Sequence, residues 1–128
     1  MDRYDPEVAP DGEEWLALDE GERLLLVEWH HRDSRADIPK AARRLHASMH
    51  VVVENQLASN EEPIVRALAR LMKEGLSRHE AVHAIGSVVA ENIYDIVNQK
   101  DSAETARARY YAAVERLTAA TWRDNSDD

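Results

Sequence analysis

Leu45-His46-Ala47-Ser48-Met49-His50-Val51-Val52-Val53-Glu54-Asn55-Gln56-Leu57-Ala58 is the stretch on which the fold turns. Its three consecutive valines are the nearest thing to a β-strand in the chain. A half-buried strand alternates apolar and polar residues, and this run does not. Instead His46, His50, Val53 and Leu57 recur at steps of three and four, which is the period of a helix face. The stretch therefore reads as helix, from Pro39 in its first turn to about Ala58.

On either side the same period persists and the helix ends carry local chemistry. Upstream, Asp19 and Glu22 form a capping box that opens a helix through Leu24, Leu25, Leu26, Val27 and Trp29. A short turn at Glu13 to Leu18 precedes it, and Arg32 to Ile38 is a polar connection. Downstream, Asn60 is expected to cap a helix buried through Ile64, Leu68, Leu71 and Met72, with Gly75 ending it. Ser77 with Glu80 predicts another helix reaching about Asn98. Asp101 with Glu104 predicts a last one, buried through Ala106, Tyr110, Ala113, Val114 and Leu117. The expectation is an all-α, five-helix bundle-like single domain of four main antiparallel helices plus an N-terminal helix. Residues 1–12 read as an irregular arm, 13–123 as the helical domain and 124–128 as a disordered acidic tail.

Composition narrows the function. The 128 residues include no cysteine, which excludes disulfides, thiolate chemistry and cysteine-based zinc or iron–sulfur sites. With 16 Lys+Arg against 25 Asp+Glu, the formal charge is −9, a poor match to a phosphate backbone, so no nucleic acid is expected. No apolar run approaches the ~18–20 residues of a membrane span, and the first residues do not read as a signal peptide. The expected setting is the cytoplasm. A core without Phe and with 19 alanines permits close helix approach. Trp15, Trp29 and Trp122 are expected to pack in or against it. Apolar faces on short helices leave room for a homodimer, and no motif points to a small-molecule substrate.

Six histidines stand at 30, 31, 46, 50, 79 and 83. Four form two H-x-x-x-H pairs, His46/His50 and His79/His83, on separate helices. Positions i and i+4 lie about 40° apart and about 6 Å along a helix, so two such imidazoles reach one ion. An up-down-up order makes these two helices parallel and lets the pairs meet inside the bundle. The candidate metal ligands are His46, His50, His79 and His83. Glu54, one turn beyond His50, would serve as a further ligand or hydrogen-bond acceptor, and Asn55 and Gln56 would orient the set. Imidazole and carboxylate donors suit one divalent ion among zinc, iron, manganese and nickel.

Other readings use the same residues. Inward histidines can instead form a metal-free hydrogen-bond network in an interaction or dimerisation module. His79-Glu80-Ala81-Val82-His83 is an H-E-x-x-H, the pattern of a zinc-dependent hydrolase, but Glu80 also belongs to a capping box and no catalytic residue is assigned. His50, Glu54, His79 and His83 with His30 or His31 resemble the ligand order of hemerythrin-like di-iron bundles, although the last helix lacks their histidine. Arg32, Arg35, Lys40, Arg43 and Arg44 form a basic cluster that reads as a solvated face.

Beyond spacing, several segments resemble a family of small bacterial proteins of unknown function. They are Glu14 to Glu20 (EWLALDE), Leu45 to Ala58, Gly75 to Gly86 (GLSRHEAVHAIG) and Leu117 to Arg123. The resemblance covers most of the chain from about residue 13. It implies a small all-helical protein with the histidine pairs and the Glu-Asn-Gln segment at its core, and it implies no activity.

Overall fold

The computed structural model describes residues 1–33, 40–99 and 102–126. Among these, every regular element is an α-helix. They are α1 (Gly12–Ala17), α2 (Glu20–Asp33), α3 (Lys40–Ala58), α4 (Glu62–Lys73), α5 (Arg78–Gln99), α6 (Ala103–Arg116) and α7 (Ala119–Ser126). The valine run lies inside α3, as its wider period requires.

Local chemistry explains most of the boundaries. Asp19 Oδ1 accepts from the Glu22 amide at 2.8 Å, and Glu22 Oε1 accepts from the Asp19 amide at 3.2 Å. Ser77 and Glu80 make the same reciprocal pair, at 3.1 and 3.0 Å. Each box satisfies backbone donors that the first helical turn leaves without partners. Gly75 adopts φ +109°, and the Leu76 amide reaches back to the Leu71 carbonyl at 3.1 Å, a left-handed reversal that closes α4.

Three boundary readings are corrected. Asn60 does not open α4; it ends α3. Its φ is +55°, its amide bonds the Leu57 carbonyl, and the Glu61 amide bonds the Gln56 carbonyl. Asparagine tolerates this conformation, and the same residue type serves both kinds of helix end. Ser102, not Asp101, caps α6, accepting from the Thr105 amide at 3.2 Å; Asp101 lies outside the described residues. An additional helix, α7, not among the five expected, follows a reciprocal pair between Thr118 and Thr121 and runs to Ser126. Pro39 and most of the expected 32–38 connection lie outside the described residues, and α2 continues through Asp33.

Packing is organised around α3, which contributes to two apolar clusters. One joins Val53 to Ile64, Leu71, Ile85, Tyr110 and Val114 of α4, α5 and α6. The other joins Ala47 and Val51 to Trp15, Leu26, Val27 and Tyr4. Each large apolar side chain fully buried here, such as Ile64 or Leu71, stabilises the fold by about 1.5–3 kcal/mol. Two expected core residues face outward instead: Met72 and Trp29 are 42% and 44% exposed.

The pairing of α3 with α5 sets the site. Met49 Cβ lies 3.4 Å from where a Gly86 Cβ would stand, His50 meets His83, and Glu54 meets Arg78. As numbers rise along α3 they fall along α5, so the two helices face each other antiparallel, not parallel. Strict up-down alternation applies to helices of similar length joined by tight reversals. Here the helix between them, α4, has only twelve residues, and a span of about 18 Å.

Candidate metal centre

α3 brings His46 and His50 to the contact with α5, and α5 brings His79 and His83. The His83 ring centre lies 4.5 Å from that of His46, 4.7 Å from that of His50 and 4.3 Å from that of His79. His83 Nε2 stands 2.7 Å from His50 Nε2 and 3.0 Å from His79 Nε2. One ligand atom from each of His46, His50 and His83 falls within 4.8 Å of the other two. His50 is buried, and His46 and His83 are half-buried.

Elementary valence makes this crowding informative. A ring nitrogen offers either one hydrogen or one in-plane lone pair. His83 Nε2 therefore makes at most one of its two close contacts as an ordinary hydrogen bond. Nitrogens around one tetrahedral ion, with bonds of 2.0–2.1 Å, stand about 3.3 Å apart; the 3.0 Å contact is near that spacing, and the 2.7 Å contact has the length of a hydrogen bond.

The tautomer of His50 follows from its other side. Tyr4 Oη lies 2.5 Å from Glu54 Oε2 and 3.1 Å from His50 Nδ1. Glu54 is also held by Arg78 through two bonds, Nη2 to Oε1 at 2.8 Å and Nη1 to Oε2 at 2.9 Å. A carboxylate in that pairing only accepts, so the one Tyr4 hydroxyl proton goes to Glu54. His50 Nδ1 then donates to Tyr4 Oη, which in the neutral ring leaves the lone pair on Nε2, facing His83. Burial, with the Glu54 charge beside it, holds the Tyr4 phenol well above its usual range, so it keeps its proton.

Burial lowers the pKa of His46. Burial, and then the neighbouring His30, lower that of His79. Both shifts favour the neutral ring, which is the form that binds a metal. His79 sits on the N-terminal-arm side, its amide donating to Glu7 Oε1 at 2.8 Å and its ring centre 5.7 Å from that of His30.

The remaining predicted residues have other partners. The Glu54 carboxylate faces Tyr4 and Arg78, which gives it the part of acceptor. Asn55 Oδ1 accepts from Trp15 Nε1 at 2.8 Å and from Arg23 Nη1 at 3.1 Å, tying α3 to α1 and α2. Gln56 Oε1 accepts from Tyr110 Oη at 2.6 Å, tying α3 to α6. Neither amide orients the histidines. Glu80 keeps its capping bond to Ser77. Arg43 and Arg44 are exposed on α3, in keeping with a solvated face, while Arg35 lies outside the described residues. Sequence reasoning missed Tyr4 and Arg78. A lone aromatic in the N-terminal arm was a signal for Tyr4; nothing in local spacing marks an arginine whose partner is 24 positions away.

No helix among the described residues is long and apolar enough to cross a membrane. A family model described as a domain of unknown function (DUF1841) matches residues 18–116. That span holds the four clustered histidines, Glu54 and Arg78, and stops short of Tyr4. No curated protein and no solved structure matches the chain.

Proposed function

The chain belongs to the DUF1841 family, a domain of unknown function, and from the arrangement of its histidines we propose that it binds one transition-metal ion between α3 and α5. His46, His50 and His83 hold the ion. Tyr4 and Glu54 fix the ring of His50 from behind, and His79 flanks His83. The single observation that carries the reading is the convergence of one ligand atom from each of His46, His50 and His83 within 4.8 Å of the other two. The His50 tautomer derived from Tyr4 supports it, because a metal-binding histidine commonly donates its other N–H to a fixed acceptor. A donor set of imidazoles alone favours zinc, nickel or iron(II) over manganese, which prefers oxygen.

Elemental analysis of protein purified without a nickel column is expected to find close to one equivalent of one such metal. His50→Ala is expected to lose it. Added zinc at about a hundred times its Kd is expected to stabilise the fold by about 2.7 kcal/mol, and a chelator to reverse this. Less than about a tenth of an equivalent, with a Tm indifferent to both zinc and chelator, would overturn the proposal and leave the histidines as a metal-free network.

A further inference from the structure

We propose, on the footing of that metal reading, that the ion keeps one coordination position open to a small apolar cleft. The cleft takes a small molecule that presents one nitrogen or oxygen donor on a short apolar body. The cleft has a volume of about 270 Å³. His46, His50 and His83 all line it, so whatever enters meets the three proposed ligands together. Its other walls include Met49, Val82 and Trp122, with Gly86 and Ala90 at positions where a larger side chain would intrude. Apart from the histidines, no ionisable residue lines it. Beyond the ion itself the walls carry no charge and complement an apolar body, and the volume is below the ~300–1,000 Å³ of sites for larger ligands.

Three protein ligands with a fourth position left to water or substrate is the arrangement by which zinc sites admit an outside donor. His79 does not line the cleft; it meets His83 from the side of the N-terminal arm. Trp122 is carried to the cleft by α7, which the Thr118–Thr121 cap and the bond from Arg123 Nη2 to the Gly75 carbonyl at 3.0 Å hold in place.

The test uses the full chain loaded with cobalt(II), whose visible bands report coordination number and ligand exchange. Imidazole and 1-butylimidazole are titrated in turn, and retained cobalt is measured after each. Saturable band shifts with cobalt retained are expected, the butyl compound binding about tenfold more tightly because part of its chain leaves water. Ala90→Phe, at an exposed wall position, is expected to keep cobalt and erase that tenfold preference. Retained cobalt with bands that neither compound moves would show a closed sphere, with His79 or another group in the fourth position, and would overturn this inference alone. Equal binding of the two compounds by the parent protein, or release of the cobalt, would overturn it as well. Failure to take up cobalt at all would instead sink the metal reading beneath it.

Discussion

The Tyr4 hydroxyl holds a single proton and has two neighbours, and the disposal of that proton reaches the candidate centre. Donation to Glu54 obliges His50 Nδ1 to donate in turn, which leaves His50 Nε2 as the nitrogen facing His83. Tyr4→Phe removes the acceptor of His50 Nδ1–H while preserving the buried ring. The variant is expected to weaken metal binding by about 10–100-fold, measured by competition with a chromophoric chelator. Tyr110→Phe deletes a hydroxyl of similar burial that bonds Gln56, and should leave that affinity unchanged. Equal effects from the two would assign Tyr4 a packing role only. Arithmetic on the chain could find the histidines, since their spacing is short and regular. It could not find Tyr4, which meets Glu54 across a separation of 50 residues.

At the scale of elements, helix ends were the most legible feature because they depend on groups three or four residues apart. The boxes at Asp19–Glu22 and Ser77–Glu80 form as their residue types dictate. Where the sequence reading erred, two residues competed for one role, as Ser102 did with Asp101, or one residue type suited opposite roles, as Asn60 did. Gly75 is the sharpest case in which backbone geometry decides identity. At φ +109° an added Cβ is strained, even though the nearest heavy atom would be 3.6 Å away. Gly75→Ala is therefore expected to lower stability by about 1–2 kcal/mol in urea unfolding. A loss near zero would mean that the α4–α5 turn relaxes into another conformation.

Across the whole molecule, one buried ion pair joins three distant pieces of chain. Arg78 at the start of α5 grips Glu54 on α3 and donates to the Pro6 carbonyl of the arm at 2.9 Å. Both side chains are nearly inaccessible, at 7% and 1% exposure. Removing one partner leaves a buried charge without its counterion, so Arg78→Leu is expected to cost about 3–5 kcal/mol. The double change Arg78→Leu with Glu54→Leu should cost clearly less than that single one, as read by denaturant titration. A double change as damaging as the sum of both singles would mean that the two side chains act independently. By itself the sequence determined an all-helical chain, most helix ends and the placement of two histidines on a common stripe of each of two helices. Those features are governed by neighbours within about one turn, and helical periodicity records them. Only the tertiary structure decided that α3 and α5 run antiparallel, that Glu54 turns to Arg78 and Tyr4, and that a cleft reaches three of the histidines. These depend on side chains dozens of residues apart, for which the order of residues along the chain carries no period.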